Sequence, residues 1–176
     1  MSSSFPPPEL REIVQEVASL LKDRKETISV AETAAGGLIS AALLSFPGAS
    51  GYYKGGLTLY TLESRLAFAG WTTQNVENYA GPTPEIVKGL AEHTRTTLGS
   101  TYTVSESGTA GPTGGTKGTT RYRDPGYVAL AVASARGTEM REVSTGLGGD
   151  REGNMVQFAV EALKFVRDVI KGEGKL

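Results

Sequence analysis

A three-layer α/β/α sandwich around a mixed, mostly parallel sheet of about five strands is the fold class this sequence predicts. Three observations carry it. Short apolar, β-branched runs alternate with amphipathic stretches at helical spacing; the first strand runs through a glycine turn into a helix, as in a βα unit; and two late strands meet across a tight turn before a closing helix. A chain of 176 residues is long enough for one domain with a substantial core. Neither a repeat nor a linker divides it, so the expectation is a disordered tail over residues 1–8 and a single domain over 9–172.

The elements follow in order. Leu10, Ile13, Val14, Val17, Leu20 and Leu21 recur at helical spacing and predict a helix to about Lys25. Thr27 to Ala31 is short and β-branched, hence a buried strand, and after Gly36-Gly37 a helical pattern returns up to Phe46, where Pro47-Gly48 stops it. Leu57 to Tyr60 reads as a second strand, Leu62 to Ala69 as a short helix, and Thr72 to Tyr79 as a further helical turn. Thr83-Pro84-Glu85 places an N-cap before a proline at the first helical position, starting a helix that Gly99 closes. Tyr102 to Ser105 is the third strand. Tyr127 to Ser134 and Met140 to Ser144 form a hairpin across Arg136-Gly137, and Asp150 caps a final helix carrying Val156, Ala159, Leu163, Val166 and Ile170.

Composition excludes several function classes. A net charge of −1 leaves no electrostatic footprint for nucleic acid or an anionic membrane. No apolar run reaches the roughly 20 residues of a membrane span, and the start MSSSFPPPEL lacks the basic and apolar regions of a signal peptide. The absence of cysteine removes disulfides and thiolate metal ligands, and the single histidine, His93, rules out a histidine triad or a two-histidine zinc site. His93 reads as a solvent-facing helical residue. The expectation is a cytoplasmic protein without metal or cofactor.

Ligands of open α/β sheets bind beyond the carboxyl ends of strands. Glu32-Thr33-Ala34-Ala35-Gly36-Gly37 arrives at one such end. Its glycines permit close backbone approach, and the helix start behind them offers N–H groups to an anion, although a Gly-Gly turn before a helix is more often plain packing. The segment after Ser105, with Ser107-Gly108-Thr109-Ala110-Gly111-Pro112 and Gly114-Gly115, is long and rich in hydroxyls. It suits ribose or phosphate oxygens, or else is a mobile surface excursion.

Taken together, Ala31–Gly37 (AETAAGG), Gly48–Ser50 (GAS), Tyr60–Arg65 (YTLESR), Ser107–Pro112 (SGTAGP), Asp124-Pro125-Gly126 and Gly149-Asp150-Arg151 resemble the spaced motifs of the CinA C-terminal domain family. Stand-alone bacterial members hydrolyse the carboxamide of nicotinamide mononucleotide to nicotinate mononucleotide and ammonia, a step in NAD salvage. The resemblance covers the chain from the first helix to the last. It implies an amidase, no cofactor, a pyridine nucleotide as the small-molecule partner, and a homo-oligomer. Tyr52 and Tyr53 read as an aromatic contact pair beside the site, which core packing explains nearly as well. Bacterial members often join this domain to an N-terminal molybdopterin-binding-like region, and the domain alone is expected here. By the same resemblance Ser50 is the nucleophile, Tyr60 supports it, and Arg65 stands where the family has its activating lysine. Glu32, Thr33, Gly36, Gly37, Ser107, Gly108, Gly111 and Arg151 take the substrate-binding positions.

The departures from the family pattern bear on chemistry. Arginine stays protonated at neutral pH and does not take a proton from a serine, though its planar fork pairs well with phosphate or carboxylate. Thr33, Ala34 and Ala35 replace serine, cysteine and threonine of the family's glycine loop. Lys54, four residues beyond Ser50, is an alternative base; Ser105 and Thr109 are alternative nucleophiles without an identifiable base. Two readings therefore stand: an amidase of weak or lost activity, and a non-catalytic nucleotide-binding or regulatory protein of the same fold.

Overall fold

The computed structural model describes residues 4–114 and 120–174. Five strands form one sheet in the order β2-β1-β3-β4-β5: β1 (Ile28–Glu32), β2 (Tyr53–Thr58), β3 (Tyr102–Gly108), β4 (Tyr127–Ser134) and β5 (Gly137–Ser144). The first three run parallel, and β4 and β5 are antiparallel to their neighbours. Helices α1 (Pro8–Arg24), α2 (Leu38–Ser45) and α6 (Arg151–Lys171) cover one face. The other face carries α5 (Pro84–Leu98), with the short helices α3 (Leu62–Phe68) and α4 (Thr73–Glu77) on the way to it. This is the expected three-layer α/β/α sandwich.

Local chemistry explains the boundaries. Pro8 opens α1, and Lys25 ends it in a left-handed conformation whose N–H reaches back to the carbonyls of Leu21 and Lys22. Thr83 caps α5 by accepting from Ile86 N–H, and Asp150 caps α6 by accepting from Gly153 N–H. β1 and β4 are buried along almost their whole lengths because helices cover both faces. Leu10, Val17, Leu21, Ile39, Leu43, Phe158, Leu163 and Val166 fill the space between α1, α2, α6 and the sheet. On the opposite face small residues, Ala129, Ala131 and Ala133, let α5 come close with Val87 and Ala91.

Several expectations shift. The second strand lies earlier than Leu57–Tyr60, because Gly55 and Gly56 belong to it instead of forming a turn before it. A side chain at Gly56 would lie 2.7 Å from Ser40 Oγ and from Tyr53 Oη, so the bare backbone is what fits there. β3 continues to Gly108, three residues beyond the expected end, since Glu106 and Ser107 are polar yet buried. The hairpin turns at Ala135-Arg136, and β5 starts at Gly137 instead of Met140. Of the expected tail, residues 1–3 lie outside the described residues and Pro8 is already helical. Among the described residues no helix is long and apolar enough to cross a membrane. Tyr52, expected at a contact surface, is only 1% exposed and donates its hydroxyl to the Leu43 carbonyl at 2.5 Å; Tyr53 is half-buried against the main core. Neither offers an aromatic patch.

Candidate functional site

The order β2-β1-β3 sends the connections leaving β1 and β2 to opposite faces of the sheet, which opens a crevice at the carboxyl ends of β1 and β3. The pairing of Glu32 with Glu106 sets those two ends level. Thr33 follows β1, Tyr60 follows β2, Ser107 and Gly108 finish β3, Arg123 precedes β4, and Arg151 lies at the start of α6 beyond β5. All line one cavity of about 220 Å³, together with Ala34, Arg65, Tyr79, Pro82 and the segment Thr109–Gly111.

The cavity floor is built from small groups. Thr33 Oγ1 donates to Ser107 Oγ at 3.0 Å, and both residues are buried. Gly111 has φ of 92°, and a side chain there would lie 3.0 Å from Gly149 Cα, so the loop after β3 and the turn before α6 touch through backbone alone. Arg151 clamps this junction: Nη1 donates to Gly111 O at 2.6 Å and Nη2 to the Tyr60 hydroxyl at 3.1 Å. Thr109 Oγ1 donates to Tyr122 O, which ties the same loop to the segment before β4.

Arg65 is the most deeply placed cation, 3% exposed. Its guanidinium lies 5.2 Å from the ring centres of both Trp71 and Tyr79, and Nε donates to Leu59 O at 3.2 Å. Nη1 is buried with no hydrogen-bond partner among the described residues. Arg123 lies 5.9 Å from the Tyr79 ring. Among the described residues, Arg65, Arg123 and Arg151 are not paired with any carboxylate, and no carboxylate lines the cavity. Three cations thus face one small space, and among the described residues the carboxylate that acts on Arg65 is Glu106, buried behind the floor.

Two buried glutamates hold the floor from behind. Glu32 turns away from the cavity and accepts from Ile39 N–H at 3.1 Å and Ser40 N–H at 3.0 Å, filling the amino end of α2. That helix start is therefore not open to a bound anion. Burial raises its pKa above the ordinary carboxylate value, against the pull of those N–H groups. Glu106 Oε2 accepts from Thr33 N–H and Ala35 N–H, both at 3.0 Å, and so fixes the glycine loop. Complete burial, aided by the neighbouring Glu32 charge, pushes Glu106 up to about 7 despite those two bonds and the attraction of Arg65.

Of the residues expected to act, the structure brings Tyr60, Arg65, Thr33, Ser107, Gly108, Gly111 and Arg151 to one place. Ser50 is not among them. It lies exposed in the 3-10 turn Ala49–Gly51, ahead of β2, whereas the cavity lies beyond the far end of that strand. The six residues of β2 separate the two by roughly 20 Å at about 3.3 Å per residue. Lys54, the second residue of β2, is exposed near the same wrong end and is not a base for this site. Glu32 is a helix cap, and Gly36 and Gly37, with φ of 69° and 100°, turn the chain into α2 without lining the cavity. Ser105 is buried, its hydroxyl has no partner among the described residues, and it does not line the cavity. Gly115 of the long loop lies outside the described residues. Sequence reasoning missed Tyr79, Pro82 and Arg123; the run Arg121-Tyr122-Arg123, basic amid a Ser/Gly/Thr loop, was the available signal.

Comparison with known proteins places this architecture. The profile of the CinA C-terminal domain matches residues 10–170. A CinA-like protein from Prochlorococcus marinus is 33% identical over 153 residues, which is 87% of this chain and 33% of that protein. A CinA-like protein from Fervidobacterium nodosum is 30% identical over 167 residues, 94% of this chain and 39% of that protein. The chain thus spans about a third of the length of these relatives. The crystal structure of a competence-damaged protein (CinA) superfamily protein from Klebsiella pneumoniae superposes with a TM-score of 0.83 at 22% identity, over 93% of this chain and 98% of that one. The competence/damage-inducible protein CihA from Agrobacterium tumefaciens gives a TM-score of 0.82 at 22% identity, covering 96% and 99%.

Proposed function

The chain belongs to the CinA C-terminal domain family, and from that premise we propose that its cavity binds a phosphorylated small molecule of the nicotinamide mononucleotide type and hydrolyses its carboxamide weakly or not at all. The observation that carries the reading is the triplet Arg65, Arg123 and Arg151 around a hydroxyl-lined floor with no lining carboxylate. Guanidinium forks pair with phosphate and carboxylate oxygens, and Thr33, Ser107 and Thr109 supply hydroxyls of the kind that ribose and phosphate accept. A volume of about 220 Å³ falls below the ~300–1,000 Å³ usual for drug-sized ligands, which favours a mononucleotide over a dinucleotide.

The lining also argues against efficient hydrolysis. Among the described residues its polar side chains are hydroxyls, phenols and guanidiniums, and none of these types accepts a proton readily at neutral pH. Glu106 and Glu32 are the nearby groups with a shifted acid–base equilibrium, and both lie behind the lining, each engaged with two backbone N–H groups. A hydroxyl nucleophile without a base forgoes roughly 10²–10⁴ in rate. The amidase reading keeps one specific support: Thr33 and Ser107 form a hydroxyl pair on the cavity floor, the former at the serine position of the family's glycine loop.

Trp71 is the sole tryptophan and stacks on Arg65, so its fluorescence reports on the cavity. Titration with nicotinamide mononucleotide is expected to give a saturable change, and titration with the phosphate-free riboside a much weaker one. Equal responses to both, or none to either, would refute the reading.

A further inference from the structure

Three successive carbonyls of the loop after β3 are engaged. Thr109 O accepts from Gly126 N–H at 2.8 Å, Ala110 O from Asn154 Nδ2 at 2.9 Å and Gly111 O from Arg151 Nη1 at 2.6 Å. Ala110 and Gly111 line the cavity, whereas Gly126 and Asn154 do not. In a trans peptide the N–H points opposite to the C=O, so the bonds to Gly126 and Asn154 turn the N–H groups of Ala110 and Gly111 toward the cavity. Both residues are buried, and neither N–H has an acceptor among the described residues. Buried N–H groups are seldom left so. Gly111, at φ of 92°, has the left-handed setting in which neighbouring N–H groups converge into a concave anion seat. Asn154 sets the orientation from behind. It is completely buried, and its two amide protons go to Ala110 O and, at 2.8 Å, to Gly148 O, while its Oδ1 accepts from Thr145 Oγ1.

Resting on the nucleotide-binding reading above, we infer that the N–H groups of Ala110 and Gly111 are the seat of the ligand's phosphate, and that Asn154 is the positioning residue that holds them toward the cavity. Phosphate oxygens accept from both N–H groups while Arg151 and Arg123, on the same lining, balance the charge. A phosphate monoester has three terminal oxygens, enough for two amide donors and a guanidinium at once. A carbonyl oxygen has two lone pairs and brings no charge to the arginines. The backbone seat fixes where the phosphate sits, and the arginines supply the attraction.

The test follows the amide resonances of the isotope-labelled whole chain by NMR during titration with inorganic phosphate, nicotinamide mononucleotide and its phosphate-free riboside. The Ala110 and Gly111 amide protons are expected to move downfield with the first two and hardly with the riboside. Those of Thr33 and Ala35, already held by Glu106, should move little. Asn154→Asp keeps the shape and the acceptor for Thr145 but cannot donate to Ala110 O and Gly148 O. By calorimetry it is expected to lower affinity for the mononucleotide on the order of 10- to 100-fold, as two charge-assisted bonds misalign, and to leave the weaker riboside binding unchanged. An equal loss for both ligands would make Asn154 merely structural and overturn its assignment. Equal shifts with riboside and mononucleotide would overturn the phosphate seat, as would mononucleotide binding that leaves both amides unmoved; the nucleotide reading survives the latter. Shifts with inorganic phosphate but no binding of the mononucleotide would support the seat and sink the nucleotide reading. No response to any of the three would overturn both.

Discussion

Arg65 is almost completely buried and makes no close salt bridge among the described residues, while the buried Glu106 carboxylate acts on it from behind the cavity floor. Two aromatic faces offset part of its desolvation, since a cation over a ring gains on the order of 1–2 kcal/mol when shielded from water. Glu106 offsets a further part, and an anion entering the cavity would add to it. Stability should therefore rise with phosphorylated ligands, and a millimolar nucleotide is expected to lift the thermal midpoint of the native protein but not that of an Arg65→Met, Arg151→Ala double variant. Ser50 makes the opposite case. It is exposed at the far end of β2, so Ser50→Ala is expected to change stability by less than about 0.5 kcal/mol and ligand affinity not at all, measured by urea denaturation and calorimetry. A clear loss of binding in that variant would contradict the placement of the site. The serine was misjudged because a residue before a strand and one after it look alike in sequence. Only the topology assigns them to opposite ends of a sheet.

Glu106 belongs to the same scale and sets a pH dependence. Its folded-state pKa of about 7 lies above its ordinary value of 4.5, so the native protein holds a proton that the unfolded chain releases. Its contribution to stability is full below about pH 4.5 and declines as pH rises to about 7, by an amount on the order of 1–3 kcal/mol. Glu32 shifts in the same direction and adds to the decline. Glu106→Gln keeps an oxygen for the N–H groups of Thr33 and Ala35 and has no charge to bury. Urea denaturation at pH 5 and pH 8 is expected to show a clearly smaller loss in this variant than in the native protein. An identical pH profile would mean that Glu106 is not the titrating group.

At the scale of elements, caps and glycine turns were the legible part. Thr83-Pro84 starts α5 and Asp150 caps α6, each where its side chain was expected to act. Asp150→Ala is expected to cost about 1 kcal/mol in denaturant unfolding, because Gly153 N–H loses its acceptor at the helix end adjoining the cavity. Less legible were the strands that break composition rules. β2 carries Gly55 and Gly56, which in isolation signal a turn, but the edge position and the crowding by Ser40 and Tyr53 admit them. β3 ends in Ser107 and Gly108 after Glu106, a run that reads as loop. Its polarity is accommodated by the Thr33 hydroxyl and by the backbone of the glycine loop, contacts that come from β1 and are remote in sequence. In both strands tertiary contacts outweighed local propensity.

For the whole molecule, the five strands deliver their chemistry to one edge, and the charge collected there is positive although the chain carries a net −1. Ligand affinity is therefore expected to fall as salt rises, more for a phosphorylated ligand than for its riboside. Assembly is a separate matter. Tyr52 and Tyr53 are withdrawn into the fold, whereas Tyr60 of the cavity lining is 59% exposed and Leu66 and Phe68, on the helix that follows it, are 41% and 64% exposed. The expected homo-oligomer would use this surface, and sedimentation at micromolar concentration should give a mass above 18.5 kDa that Phe68→Glu lowers. A mass of 18.5 kDa for the native protein would contradict it.

The central claim, that this family member holds a phosphorylated pyridine nucleotide without efficiently hydrolysing it, is tested most directly by one paired measurement. Pure protein is titrated with nicotinamide mononucleotide in a calorimeter, and ammonia is assayed in the same samples after prolonged incubation. Saturable binding is expected, weakened about tenfold or more by Arg151→Ala, with ammonia at the level of the protein-free control. Rapid, stoichiometry-exceeding ammonia release, or no heat of binding at millimolar ligand, would contradict it.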